Sequence, residues 1–124
     1  MPVRSSNSSV LVWPDRTIVD RAVRAWAAAA AARRGDVRRI GYFGSYARGD
    51  WGVGSDLDLV AIVDAAVEPF ERRAVAWPVE ALPVPADLLV YTESEWQALV
   101  ERGGRFAAVL SRETVWVWTA AASE

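Results

Sequence analysis

Apolar and polar residues alternate in blocks along the chain, and the spacing within each block predicts helices and strands. Pro14 and Asp15 favour a helix start with Asp15 as the N-cap, and Gly35 favours the helix end. Apolar positions of this first helix recur at helical spacing: Ile18, Ala22, Val23, Trp26, Ala29 and Ala30. We therefore expect this set to face the core.

The rest of the chain predicts short strands that alternate with helices. Leu57 to Val63 is a largely apolar run, typical of a strand covered on both faces. Further strands are predicted near Arg38 to Phe43, Val84 to Tyr91 and Val115 to Trp118. Further helices are predicted at Glu68 to Trp77, at Phe106 to Arg112, and in a segment that begins at a cap, Thr92 or Ser94, and ends at Arg102. This order predicts an α/β (α+β) fold, with a mixed sheet of about four strands and helices packed on it.

The length of 124 residues fits one domain. We assign residues 1–13 to a flexible N-terminal tail, 14–119 to the folded domain and 120–124 to a C-terminal tail. The longest uninterrupted apolar run, Ala25 to Ala32, is far shorter than the ~18–20 residues that span a bilayer. The first residues also lack the apolar segment of a signal peptide. We therefore expect a cytoplasmic protein.

Three residue types are missing from the sequence, and their absence narrows the chemistry. The chain has no Cys and no His, and all 14 of its basic residues are Arg. This excludes disulfide scaffolds, thiolate zinc sites, Ser-His-Asp hydrolysis and Lys-dependent phosphate loops. The net charge of −2 argues against a long nucleic acid as partner. Catalysis would have to use Asp, Glu, Ser, Tyr, Arg, backbone amides or a bound metal.

Candidate chemistry is concentrated in the glycine-rich stretch that follows the first predicted strand. Gly44 and Ser45 lie where that strand ends and a short helix would begin, so their backbone N–H groups could bind an anion. Gly44 allows close approach of the backbone, and Ser45 offers a hydroxyl. Arg48 can donate a bidentate pair of hydrogen bonds to phosphate oxygens.

Three aspartates follow in a pattern typical of metal binding. Asp56 and Asp58 stand two positions apart at the head of a predicted strand, which places both carboxylates on one face, about 6–7 Å apart. They would repel each other unless a hard cation such as Mg²⁺ lay between them. Asp87 interrupts a later apolar run. Beside Asp58 on a neighbouring strand, it would be the third carboxylate of a metal-dependent phosphoryl or nucleotidyl transfer site.

These residues also carry a family resemblance. Gly44-Ser45, ten further residues and then Asp56-Leu57-Asp58 form a G-S, ten-residue, D-x-D pattern. Together with Ala47-Arg48-Gly49, Ser55 to Val60 and the later Asp87 to Val90, this pattern resembles the minimal nucleotidyltransferases of the DNA polymerase beta-like superfamily. The resemblance extends over about residues 14–118. Larger members add a substrate or nucleic-acid domain, for which this chain has no room.

The resemblance implies the nucleotidyltransferase fold and an activity. Members transfer a nucleoside monophosphate from a triphosphate to an acceptor hydroxyl, and we favour AMP from ATP. The candidate nucleotide-binding residues are Gly44, Ser45, Arg48 and Ser55, and the candidate catalytic and metal-binding residues are Asp56, Asp58 and Asp87. The resemblance implies that the aspartates hold two Mg²⁺ ions, with Mn²⁺ as a substitute, and that Asp87 helps to activate the hydroxyl.

The resemblance also implies a protein partner. Minimal nucleotidyltransferases are typically paired with a HEPN-domain protein, a ribonuclease toxin, which some of them silence by attaching AMP to a tyrosine. We therefore expect an antitoxin-like adenylyltransferase that modifies such a partner. Two alternatives stay open, namely a non-catalytic antitoxin that covers its toxin and a small-molecule (antibiotic) nucleotidyltransferase. The second would require an acceptor pocket for which the chain is short. A homo-oligomer also stays open.

The sequence contains seven Trp residues, a high number for its length. We place Trp26 in the core, and strand alternation places Trp116 and Trp118 on one face of the last strand. Trp51 lies beside the candidate site, where its indole could stack on a base, cover the pocket or pack on its own turn. Exposure of several others would indicate a partner surface: Trp13, Trp51, Trp77 and Trp96.

Overall fold

The computed structural model describes residues 13–121, which form a four-stranded mixed sheet with helices on both faces. The elements are α1 (Arg16–Arg34), β1 (Val37–Phe43), α2 (Ser45–Arg48), β2 (Leu57–Val63), two 3-10 helices (Phe70–Ala76 and Val79–Ala81), β3 (Ala86–Thr92), α3 (Glu93–Arg102), α4 (Arg105–Glu113) and β4 (Val115–Thr119). The strand order is β3-β2-β1-β4, with β2 and β3 parallel and the other pairs antiparallel. The predicted fold class is confirmed.

Residues 1–12 and 122–124, most of the two predicted tails, lie outside the described residues. The domain boundaries therefore stay a prediction. Trp13, which we assigned to the N-terminal tail, is half-buried and packs against the core. Within residues 13–121, every helix is too short or too polar to cross a membrane.

The caps predicted for α1 are confirmed, and its buried face is in part the one we expected, since Val23, Trp26 and Ala30 are buried. The Asp15 carboxylate accepts a hydrogen bond from the Ile18 N–H at 3.0 Å, and Gly35 ends the helix at a φ of 77°. The residues that α1 buries are Val19, Val23, Trp26, Ala27, Ala30 and Ala31. Ile18 is 49% exposed and Ala29 is also exposed, so our assignment of these two to the core was wrong.

The indole of Trp26 is buried, as predicted, against the segment that follows the first 3-10 helix. Its ring lies 5.9 Å from the ring of Trp77, and its Nε1 donates to the carbonyl oxygen of Pro78 at 3.0 Å. An alanine-rich helix has a weak hydrophobic pattern, since exposed and buried positions carry the same residue. Periodicity alone therefore defines the rotation of such a helix only roughly.

Alternate residues of β2 contribute to two different layers of the core. Leu57, Leu59, Ala61 and Val63 pack with α1 on one face of the sheet. Val60 and Ile62 pack on the other face with Trp96 of α3 and Leu110 of α4. The prediction of a strand covered on both faces is therefore confirmed. Because Asp58 shares the face of Val60 and Ile62, its carboxylate lies on the side that α3 and α4 cover only in part.

Two segments differ from the sequence prediction. The charged stretch from Glu68 to Trp77 forms a 3-10 helix at Phe70–Ala76, without the longer helix that its composition indicated. In β4 the register with β1 shifts between Ile40 and Gly41, and Trp118 packs with the α1 layer while Trp116 packs with the α3–α4 layer. The prediction that the two indoles share a face was wrong because this bulge reverses the alternation.

Candidate functional site

Asp58 and Asp87 lie directly beside each other on neighbouring parallel strands. Asp58 is the second residue of β2 and Asp87 the second residue of β3, and the two are register partners. Alternation places both side chains on the same face of the sheet as Val60 and Leu89. The structure thus brings these two predicted site residues together as the sequence indicated. Asp87 is exposed and Asp58 half-buried.

The carboxyl of Asp58 lies in an environment that disfavours its charge. Burial raises its pKa above the ordinary value, and the negative charges of Asp87 and Asp56 raise it further. Arg48 opposes the shift, and Glu113 adds to it. Acidic groups therefore dominate around Asp58, and a cation placed there would relieve their repulsion.

Gly44 lies against the Asp58 carboxylate at the end of β1. Its φ is 81°, a value that side-chain-bearing residues rarely adopt, and a Cβ at this position would collide with Oδ2 of Asp58. Glycine is required here for both reasons. This contact brings the strand-to-helix turn and the carboxylate pair together, so Gly44 and Asp58 belong to one site.

The backbone N–H of Gly44 donates to an acidic side chain that the sequence did not indicate. Oε2 of Glu113, the last residue of α4, lies 2.7 Å from the Gly44 nitrogen. Nη1 of Arg48 donates to the same oxygen at 3.4 Å, and Nε of Arg48 donates to Asp50 at 3.0 Å. Arg48 therefore lies beside the site, engaged with two carboxylates.

The other predicted site residues lie on or next to the glycine-rich loop. Ser45 opens α2, as expected, and is half-buried. Ser55 closes a tight turn, since its hydroxyl oxygen accepts the Gly52 N–H at 2.7 Å. Asp56 is exposed immediately before β2. It lies two positions before Asp58, and its negative charge helps to raise the pKa of the Asp58 carboxyl.

The donor set at this site fits a hard cation in part. Carboxylate oxygens are the ligands that Mg²⁺ takes from proteins, usually one or two of them together with substrate phosphates. Asp58 and Asp87 supply such a pair. Among residues 13–121, however, no three acidic side chains are already arranged as a metal cage. The protein side of a metal site here would therefore be the pair, with Asp56 close by.

A cleft of about 520 Å³ opens beside the carboxylate pair. Asp58 and Asp87 line it together with Phe43, Phe70, Ala74 and Leu88. We did not expect an acceptor pocket in so short a chain. The 3-10 helix at Phe70–Ala76 builds its outer wall by packing along the free edge of β3, and this is the segment whose conformation the sequence did not predict.

The Trp residues do not form the partner surface that we considered. Trp77 and Trp96 are buried, and Trp13 and Trp51 are half-buried. Trp51 stacks on Tyr46, with ring centroids 5.7 Å apart and planes 14° from parallel, so it packs on its own turn. The large apolar side chains exposed among residues 13–121 are Ile18, Val53, Val67, Phe70, Val75, Val100 and Phe106.

Sequence reasoning missed Glu113, Phe43 and Phe70 at this site. Glu113 had one usable signal, since an acidic residue in the last turn of a helix is unfavourably placed against the helix dipole. A carboxylate in such a position is expected to have a hydrogen-bond donor that compensates for the unfavourable interaction. Phe43 and Phe70 carried no such signal, because apolar residues in a strand and a turn are ordinary.

Comparisons with known proteins agree with this geometry. A family model described as a nucleotidyltransferase domain matches residues 25–111, well over half of the chain. No curated protein matches. A proposed nucleotidyltransferase from Sulfolobus solfataricus has a similar fold, with a TM-score of 0.62 and 17% identity over 93% of this chain and 90% of that one.

Two toxin–antitoxin structures are also similar. One, determined with AMP-PNP, has a TM-score of 0.54 and 17% identity over 78% of this chain and 73% of that one. The other is a variant of the MntA-HpeT toxin–antitoxin in which two aspartates are replaced with glutamate. It has a TM-score of 0.53 and 14% identity over 82% of this chain and 73% of that one. At such low identities the likeness concerns the fold.

Proposed function

Because the chain belongs to the nucleotidyltransferase domain family, we propose that it transfers AMP from ATP to a hydroxyl of a partner protein. The observation that carries the proposal is the register pairing of Asp58 with Asp87, against the glycine turn at Gly44. These are the positions at which the family resemblance requires carboxylates and a phosphate-binding turn. The family membership is established, and the nucleotide, metal and acceptor are proposed.

In the proposed reaction, each residue has a defined task. The backbone of Gly44 and the hydroxyl of Ser45 bind the triphosphate, while Asp56, Asp58 and Asp87 would hold Mg²⁺. When bound, Mg²⁺ supplies charge neutralisation for the phosphates and lowers the pKa of the attacking hydroxyl. The acceptor oxygen bonds to the α-phosphorus, the bond to the pyrophosphate oxygen breaks, and Asp87 accepts the hydroxyl proton.

The cleft beside the carboxylates supports an acceptor with an apolar ring. Its walls combine the aromatic side chains of Phe43 and Phe70 with the carboxylate of Asp87. A tyrosine side chain would place its ring against these walls and its hydroxyl toward Asp87. The cleft is open to solvent at the surface where Phe70 is 39% exposed, so a side chain on another protein could enter it.

The structural neighbours support a toxin as the partner. Two of them are toxin–antitoxin structures, one with AMP-PNP, and the aspartates replaced in the other are two positions apart, like Asp56 and Asp58. With the family resemblance, this favours an antitoxin that modifies a tyrosine of a HEPN-domain toxin.

The test is to mix the protein with a HEPN-domain toxin, the proposed partner, together with ATP and Mg²⁺, and to measure the partner's intact mass. We expect the partner to gain the mass of one or more AMP groups, located on tyrosine by peptide mapping. The gain should be absent with Asp58→Asn. An unmodified partner that is not bound would contradict the proposal.

A second candidate, a non-catalytic antitoxin, is favoured by one observation. The Gly44 N–H, which the transferase would use for phosphate, is already bonded to Glu113. A tight complex in which the partner stays unmodified, and in which Asp58→Asn still neutralises the toxin, would favour this candidate over the transferase.

A further inference from the structure

Glu113 is an acidic side chain at an unfavourable end of its helix. It is the last residue of α4, and the C-terminus of a helix carries partial negative charge. Its side chain is nevertheless only 16% exposed. A carboxylate removed from water needs hydrogen-bond donors in compensation. The groups that supply them must therefore hold Glu113 in place.

Those groups are the Gly44 N–H, at 2.7 Å, and the guanidinium of Arg48, at 3.4 Å. The proposed function assigns the Gly44 backbone to the triphosphate, and Arg48 is one of the candidate nucleotide-binding residues that the sequence indicated. A backbone amide carries one hydrogen and makes one strong hydrogen bond. A phosphate oxygen and Oε2 of Glu113 thus cannot both have the Gly44 hydrogen.

We infer that the Glu113 carboxylate occupies a phosphate position of the nucleotide site, and that the triphosphate must displace it to bind. The inference rests on the proposed function, because it takes the Gly44 N–H as a phosphate ligand. Glu113 is then a competitor built into the chain, and it sets the affinity of the site for nucleotide without taking part in the transfer.

Charge adds to this competition. Glu113 is close enough to Asp58 to act on its carboxyl, and Asp87 and Asp56 act in the same direction. A triphosphate brings several more negative charges to this place. Removing the charge of Glu113 should therefore favour nucleotide binding in two ways: it weakens the hydrogen bond that holds the Gly44 amide, and it lowers the repulsion of the triphosphate.

The test compares ATP affinity, in the presence of Mg²⁺, between the wild type and Glu113→Gln by titration calorimetry. Bonds to a charged acceptor are stronger than those to a neutral one, so we expect the Kd to fall about tenfold. Glu101→Gln is the matched control, since it removes one charge from an exposed position on α3. Its Kd should stay within about twofold of the wild type.

A second variant and a second measurement keep the inference testable if Glu113→Gln does not fold. Glu113→Asp keeps the charge but shortens the side chain by one methylene, which withdraws it from Gly44, and should also tighten binding. In the nucleotide-free protein, the Gly44 amide proton resonance should shift in Glu113→Gln and stay in place in Glu101→Gln.

The possible outcomes separate this inference from the function on which it rests. An unchanged Kd in Glu113→Gln overturns the inference and leaves the proposed function standing. A weaker affinity overturns it as well, because Glu113 would then support the turn that binds nucleotide. If neither the wild type nor any Glu113 variant binds ATP, both proposals fail.

Discussion

Asp58 and Asp87 are register partners on the two parallel strands of the sheet, so their carboxylates lie side by side. Burial and the neighbouring acidic groups raise the pKa of Asp58. Core packing gives no reason for such a pair, since Asp87 is exposed and Asp58 is only half-buried. Like charges on adjacent strands destabilise a sheet. The pair therefore lowers the stability of the protein without a cation, which is the mark of a site kept for function.

Replacing either aspartate should separate catalysis from stability. In Asp58→Asn and Asp87→Asn we expect nucleotidyl transfer to fall by about a hundredfold or more, since a metal supplies several kcal/mol at the transition state. The melting temperature without metal should stay level or rise, because a repulsive charge is removed. Transfer assays and thermal unfolding on the same samples measure both effects.

Asp64→Asn is the matched control for this pair of variants. Asp64 follows β2 and forms an exposed ion pair with Arg38 at 3.4 Å, so its loss should change both activity and stability little. Unfolding of Asp58→Asn or Asp87→Asn under conditions in which Asp64→Asn is folded would show that the pair is structural.

Metal and nucleotide should stabilise the protein together. Since the carboxylates repel each other and the triphosphate is an anion, each ligand binds best when the other is present. We expect ATP with Mg²⁺ to raise the melting temperature by roughly 5–10 °C at saturation, and ATP with a chelator to raise it far less. Equal shifts under the two conditions would contradict metal binding by the aspartates.

The positions of most candidate-site residues in the fold could be predicted because these residues obey local rules. Strand alternation placed Asp58 on one face of the sheet, and a glycine between a strand and a helix indicated the turn at Gly44. The partner of Gly44 could not be predicted, since Glu113 lies 69 positions away along the chain. Only the packing of α4 on the sheet brings it there.

The same reasoning explains where the fold prediction went wrong. In β4, one residue is bulged out opposite Ile40 and Gly41, and periodicity has no means of detecting an inserted residue. Gly41 indicates the cause, since a Cβ there would lie 2.7 Å from the Val115 carbonyl oxygen and 2.9 Å from the Trp116 ring. The strands approach too closely at this point for any other residue.

An ion pair beside the cleft should make stability depend on pH. Arg73 donates to both oxygens of Glu95, at 2.6 and 3.0 Å, and this bond is the main reason that the pKa of Glu95 falls from 4.5 to about 2. A lowered pKa means that the stabilisation is complete above about pH 4.5 and is lost as the pH falls through 2. Glu95 is 43% exposed, so solvent screening limits the effect to about 1 kcal/mol.

Glu95→Gln isolates this charge, because glutamine preserves the capping box that Glu95 forms with Thr92. We expect the variant to be less stable than the wild type at pH 7, and the difference to shrink as the pH falls toward 2.5. Urea unfolding at the two pH values measures it. A difference that is constant with pH would show that the ion pair does not stabilise the fold.

The contact between Gly44 and Asp58 can be tested against a glycine that has a similar φ value. Gly44 and Gly54 have φ values of 81° and 86°, but a Cβ would collide with the Asp58 carboxylate at Gly44 and meet nothing within 4 Å at Gly54. Both substitutions to Ala put a side chain at positive φ and should cost about 1–3 kcal/mol of backbone strain. Gly44→Ala should also push the Asp58 carboxylate aside and so abolish transfer, while Gly54→Ala keeps most of the activity. Comparable losses of activity in the two variants would mean that the φ value matters at Gly44 and the close approach to Asp58 does not.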